Sequence, residues 1–187
     1  MSKRRICVIG LGYVGLPTAC VLAINGYQVI GIDMNEETVN MIKRGETDIE
    51  EKDLKTILKR AVDSGRLGVS TDYDSAEECD TFIISVPSPV NADGNPNLEQ
   101  LFSACTSVAR YIKKGTLIII ETTVSPGGVN EVKNLLEERT HLKAGDDFSL
   151  AYCPERIFPG NVALELLNND RVIAGINRES AEKAATQ

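Results

Sequence analysis

The segment VIGLGYVG places three glycines, Gly10-x-Gly12-x-x-Gly15, directly after the apolar run Arg5–Ile9 and at the start of a stretch with helical periodicity, Val14–Asn25. Few arrangements join strand, tight turn and helix with this spacing. Gly10 permits the turn, Gly12 lets the backbone approach a pyrophosphate, and Gly15 lets helix and strand pack closely, while the helix N-terminus stabilises phosphate charge. The glycines alone are weak evidence. Their context strengthens them: the second strand, QVIGID, ends in Asp33, about 20 residues past the turn, where an acid meets the ribose hydroxyls of a dinucleotide. That context disfavours the plainer reading, a ligand-free turn with Asp33 capping the helix that begins at Asn35.

Asp33 also bears on which dinucleotide binds. A carboxylate repels a 2′-phosphate, and the following MNEE offers no Arg to receive one, so NAD is expected rather than NADP. Lys43 and Arg44 come a helix later and read as solvated. Tyr13 and Val14 lie inside the glycine turn, where they either flank the pyrophosphate or pack.

Strand-like runs recur at Arg5–Ile9, Gln28–Ile32, Gly68–Ser70, Thr81–Val86, Thr116–Glu121, Phe148–Tyr152 and Arg171–Ala174. Helical periodicity separates most of them, at Val14–Asn25, Glu36–Arg44, Glu51–Ser64, Asn97–Ile112 and Gly127–Arg139. Continuous apolar runs such as TLIII suit parallel strands covered on both faces. The expected fold is therefore α/β: a Rossmann-type, doubly wound, mostly parallel sheet with helices on both faces. The final INRESAEKAATQ reads as a helix with a cap at Asn177, ending before it has packed. Residues 1–187 are accordingly read as one N-terminal domain of something longer.

Composition excludes several functions. With 27 acidic against 20 basic side chains and a formal net charge of −7, the chain has no electrostatic footprint for nucleic acid. No apolar stretch approaches the roughly 20 residues of a membrane span, and MSKRRICVIG lacks the features of a signal peptide, so a cytoplasmic protein with no membrane partner is expected. Five cysteines without C-x-x-C spacing argue for buried, reduced thiols, and a single histidine, His141, leaves no material for a metal centre or a His-based triad.

Three loops fall where an open α/β sheet carries its ligands. SPVNADGNPN (88–97) follows the fourth strand. IIIETTVSPGG brings Glu121, Thr122 and Thr123 to the end of the fifth, where the hydroxyls either face a ligand or cap the next helix. YCPERIFPGN follows the sixth, and two prolines restrict the loop around Glu155, a way to hold a general acid or base still. Arg156 either pairs with Glu155 or presents a fork to a substrate phosphate or carboxylate. Cys153 has no neighbouring His to generate a thiolate, which argues against a nucleophile.

Taken together, VIGLGYVGLP, VIGIDMN, KRGETDIEEKDL, SVPSP, IIIETTVSPGG and YCPERIFPGNVALELLNNDRVIAG resemble the UDP-sugar 6-dehydrogenases, in register from about residue 4 to 176. Within that family PERIFPGN…NDRVIAG looks like the N-acetylhexosamine branch, whose type substrate is UDP-N-acetyl-D-mannosamine; the UDP-glucose branch usually carries PEF. The resemblance implies oxidation of a UDP-sugar's C6 alcohol to a carboxylate by two hydride transfers to two NAD molecules, through a thioester on a cysteine. It also implies a dimer or higher homo-oligomer, formed through a long helix that precedes a UDP-binding domain. Carried over by position, Gly10, Gly12, Tyr13, Val14, Gly15, Asp33, Val86, Pro87, Ser88 and Thr123 would contact NAD. Glu155 would be the general base of the hydrolytic step, acting through a water that Thr123 helps hold, and Arg156 and Ile157 would contact the UDP-sugar. Ser88 departs from the threonine usual in this VPTP-type turn but keeps the hydroxyl.

The family's nucleophilic cysteine sits in a GHC or GSC motif that this chain does not contain. These residues are expected to bind NAD without turning over. Two other readings stand beside this one: an NAD-binding module with no reaction of its own, and a β-hydroxyacid dehydrogenase, which shares the glycine pattern but leaves PERIFPGN without a role.

Overall fold

The computed structural model describes residues 4–92, 94–156, 160 and 162–186. Along the chain run β1 (Arg5–Ile9), α1 (Gly15–Ile24), β2 (Gln28–Ile32), α2 (Glu36–Lys43), α3 (Leu54–Asp63), β3 (Leu67–Ser70) and a 3-10 turn (Tyr73–Ala76). They are followed by β4 (Thr81–Ile84), α4 (Glu99–Ala109), β5 (Leu117–Ile120), α5 (Gly128–Thr140), β6 (Ser149–Tyr152), α6 (Val162–Asn168), β7 (Ala174–Gly175) and α7 (Arg178–Ala185).

The chain divides into two compact units. The first takes in Met1–Cys79 with Arg156–Asp170. In it β1 pairs parallel to β2, with Cys7 opposite Ile30, and β2 pairs parallel to β3, with Gly31 opposite Val69. The middle of β1 is inaccessible to solvent, as are Leu16 and Cys20 of α1 and Leu54 and Leu58 of α3. Burying each large aliphatic side chain contributes about 1.5–3 kcal/mol, so the β1–α1 junction that carries the glycine turn rests on fully buried side chains.

The second unit is Asp80–Glu155 with Arg171–Gln187. Here β4, β5 and β6 pair in parallel and β7 runs antiparallel to β6. β4 and β5, TFII and LIII, are buried along their whole length, the mark of parallel strands covered on both faces. Strand–helix alternation, parallel pairing and two-sided burial make this the doubly wound α/β, Rossmann-type class.

Several element ends differ from expectation for identifiable reasons. The helix read as Glu51–Ser64 begins at Leu54, because Asp53 takes a left-handed conformation (φ 63°) and Glu51 serves another segment. β4 stops at Ile84 rather than Val86, whose N–H leaves the ladder to donate to the Thr122 hydroxyl at 3.0 Å. α6 was not legible as a helix. The final helix does pack, contrary to expectation: Asn177 Oδ1 accepts the Ser180 N–H as its cap, Ser180 and Ala184 are buried, and α7 lies on β6 and β7. Gly175 permits this approach, since a Cβ there would collide with the backbone of Ala181 and Asn177.

Candidate functional site

In the first unit the glycine turn is held from β2. Gly10 adopts φ 88°, and its N–H donates to the Ile32 carbonyl at 2.8 Å. The Leu11 N–H donates to Asp33 Oδ2 at 2.8 Å, while Asp33 Oδ1 accepts the Asn35 N–H at 2.9 Å. Asp33 thus ties the turn to the start of α2, whose cap is Asn35 rather than Asp33. A carboxylate has about four acceptor positions, so two hydrogen bonds leave room for ribose hydroxyls.

The turn also fits a pyrophosphate. A methyl group added at Gly12 would meet nothing within 4 Å, so that space is open to a ligand. No side chain caps the N-terminus of α1 and no acidic residue stands in its first turn, which leaves the positive end of the helix dipole for an anion. Tyr13 is 39% exposed and so is not core packing, and Val14 is half-buried. Met34, beside Asp33, is 73% exposed and presents an apolar face the sequence did not single out. Glu36 and Glu37 open α2, and Arg44 pairs with Glu46 at 3.0 Å, so the ground after Asp33 is acidic.

The same unit holds the far end of the PERIFPGN loop. The Gly160 N–H donates to Glu51 Oε1 at 2.6 Å with the Tyr13 hydroxyl oxygen at 3.3 Å, and the Val162 N–H donates to Glu51 Oε2 at 3.2 Å. Glu51 therefore caps α6 from more than a hundred residues away in sequence, and α6 packs on α1. Arg156 is exposed. Ile157 lies outside the described residues.

In the second unit, the end of β5 separates its polar residues into different roles. Thr122 is buried, and its hydroxyl accepts the Val86 N–H and lies 3.0 Å from the Val86 carbonyl, so it braces the turn carrying Val86, Pro87 and Ser88. Thr123 is exposed, and Ser88 is half-buried. Glu121 is 5% exposed.

Beside Glu121 stands Arg171, which precedes β7 and to which the sequence reading gave no role. One nitrogen, Nη2, donates to Glu121 Oε1 at 2.7 Å and to Glu155 Oε2 at 3.3 Å, while Nε donates to Cys153 Sγ at 3.2 Å. Glu121 Oε2 is buried without a hydrogen-bond partner among the described residues. Burial pushes the Glu121 carboxyl from 4.5 up to about 7; the Arg171 charge opposes that rise and the Glu155 carboxylate adds to it. Burial likewise raises the Cys153 thiol, and the Arg171 charge and hydrogen bond oppose that rise. All five cysteines are free and buried, and no His/Cys/Asp/Glu cluster of metal-binding size occurs among the described residues. Nor is any helix among them long and apolar enough to cross a membrane.

Comparison with known proteins adds the lineage. Residues 4–187 match the NAD-binding domain of the UDP-glucose/GDP-mannose dehydrogenase family. The chain is 45% identical over 185 residues to a UDP-N-acetyl-D-mannosamine dehydrogenase of Methanococcus maripaludis, an alignment covering 97% of this chain and 41% of that protein. It is 42% identical over 192 residues to the Escherichia coli protein of the same name, covering 99% and 45%. The solved structure of a UDP-D-ManNAc dehydrogenase from Pyrococcus horikoshii superposes with a TM-score of 0.94 at 38% identity, covering 97% of this chain and 43% of that one. The chain therefore spans less than half the length of these relatives.

Proposed function

Because the chain belongs to the UDP-glucose/GDP-mannose dehydrogenase family and corresponds to its NAD-binding domain, we propose that it is the cofactor half of a UDP-N-acetylhexosamine 6-dehydrogenase, with UDP-N-acetyl-D-mannosamine as substrate. The observation that carries this reading is similarity over 97% of the chain, at 45% identity, to a protein named for that activity. The reaction converts a primary alcohol to a carboxylate, consuming one water and two NAD+ and releasing two NADH and three protons.

In this reading NAD supplies the hydride acceptor. Gly10, Gly12 and Gly15, with Tyr13 and Val14, hold its pyrophosphate over the N-terminus of α1, and Asp33 receives the ribose hydroxyls and repels a 2′-phosphate. Val86, Pro87 and Ser88 line the cofactor from the turn that Thr122 braces. Glu155 accepts the proton of the attacking water, Thr123 helps hold that water, and Arg156 and Ile157 contact the nucleotide sugar. The nucleophilic cysteine and the UDP-binding residues belong to sequence beyond this chain's motifs, in a protein that assembles as a homo-oligomer.

The test is to supply the natural full-length protein with NAD and, separately, UDP-N-acetyl-D-mannosamine, UDP-N-acetyl-D-glucosamine and UDP-glucose, and to follow NADH. Two NADH per sugar with the first substrate is expected. Turnover confined to UDP-glucose moves the protein to the other branch of the family, and no turnover with NAD still bound leaves a cofactor-binding module.

A further inference from the structure

Glu155 sits in a loop, and a loop carboxylate has rotamers to spare unless something holds it. Arg171 is one group that holds it. The guanidinium Nη2 reaches Glu155 at 3.3 Å and Glu121 at 2.7 Å, and Nε reaches Cys153 at 3.2 Å, so one planar group touches the end of β5, the end of β6 and the loop beyond. Both carboxylates are largely shielded, with side-chain exposures of 14% for Glu155 and 5% for Glu121, and Arg171 itself is 29% exposed. A guanidinium presents donors in fixed directions, so its Nε and Nη2 hold three partners in one arrangement that a flexible ammonium does not fix.

We propose that Arg171 is a positioning residue for Glu155, anchored by Glu121 and Cys153 so that the Glu155 carboxylate is presented in one orientation for proton transfer. The inference rests on the functional reading above, in which Glu155 is the base. It gives a purpose to three features that reading leaves unused: an arginine on no strand, a glutamate buried at a strand end, and a cysteine too shielded to react.

Glu121 adds a dependence on pH. Among the described residues, Arg171, Glu155 and Cys153 are ionisable groups that act on it; α7, packed against β5 and β6, carries the pairs Arg178–Glu182 and Glu179–Lys183. With Oε2 buried and unpartnered, one proton on Glu121 removes a charge that burial penalises, and its titration near 7 agrees. While Glu121 is protonated the guanidinium charge is left to Glu155; once Glu121 ionises the two carboxylates compete for it.

The experiment compares Arg171→Lys, Arg171→Gln and Glu121→Gln with the wild type in the natural full-length protein. It records kcat, the KM for NAD, the thermal midpoint and the pH profile of kcat. A lysine keeps the charge but not the fixed separation of Nε and Nη2 that spans the three partners, so Arg171→Lys should lower kcat about tenfold to a hundredfold while the KM for NAD and the thermal midpoint stay near wild type. Arg171→Gln should lower it at least as far, and Glu121→Gln should remove an inflection of kcat near pH 7. Arg171→Lys with wild-type kcat, or with kcat falling only in step with thermal midpoint and NAD affinity, overturns the proposal. If neither Arg171 variant folds, Glu121→Gln decides: loss of the inflection supports the proposal and its persistence overturns it. A wild type that turns over no nucleotide sugar fails earlier and differently, taking the functional reading and this inference together.

Discussion

The backbone N–H of Leu11 donates to Asp33 Oδ2 at 2.8 Å, so the acid at the end of β2 holds the glycine turn in shape. Replacing Asp33 therefore acts twice, on the turn and on the ribose. A hydrogen bond to a charged group contributes about 1.5–3 kcal/mol, so Asp33→Asn should weaken NAD about tenfold to a hundredfold. Asp33→Ala should abolish the preference for NAD over NADP. Calorimetric titration of both variants with both dinucleotides checks this, and equal affinity of the wild type for NAD and NADP would contradict it.

Gly12→Ala separates folding from binding. The added methyl meets no protein atom within 4 Å, and Gly12 is not among the positive-φ residues, so thermal stability should stay within about 0.5 kcal/mol. The same methyl occupies the space a pyrophosphate needs, and NAD affinity should fall at least about tenfold. Gly175→Ala is the converse control: its Cβ would meet the backbone of α7, and destabilisation should dominate.

Glu51→Ala should loosen α6. It removes the acceptor of the Gly160 and Val162 N–H groups, and losing a helix cap costs about 0.5–2 kcal/mol. Hydrogen exchange should quicken first at Gly160 and Val162, with β5 unchanged.

Glu121 makes stability depend on pH with a definite sign. Its carboxyl titrates near 4.5 when unfolded and at about 7 in the folded chain. The folded state therefore binds the extra proton between those values, and the stability present below pH 4.5 declines as pH rises through 7. The full effect is on the order of 3 kcal/mol. Thermal midpoints between pH 5 and 8 should fall, and Glu121→Gln should flatten that slope.

Thr122→Val should cost about 1–3 kcal/mol, because the Val86 N–H loses its acceptor while the volume is nearly kept. Thr123→Val, at an exposed position, should leave stability unchanged and lower activity of the full-length protein.

What the sequence by itself determined is local. The glycine turn, Asp33, the strand–helix alternation and the covered strands β4 and β5 follow from spacing and periodicity, which reside in contiguous residues. Local sequence left Thr122 and Thr123 with the same two readings, and the resemblance singled out Thr123; packing sends the Thr122 hydroxyl to the backbone at the end of β4 and just beyond it and leaves Thr123 exposed. Arg171 lay unremarked within NDRVIAG, because its partners Glu121, Cys153 and Glu155 stand 50, 18 and 16 residues away. Glu51 capping α6 spans 111 residues. No periodicity announces such pairs. They form where strands end side by side and bring distant carboxylates, thiol and guanidinium within hydrogen-bond reach, so the contacts of Glu155 belong to the tertiary structure, whereas its loop could be singled out from the sequence.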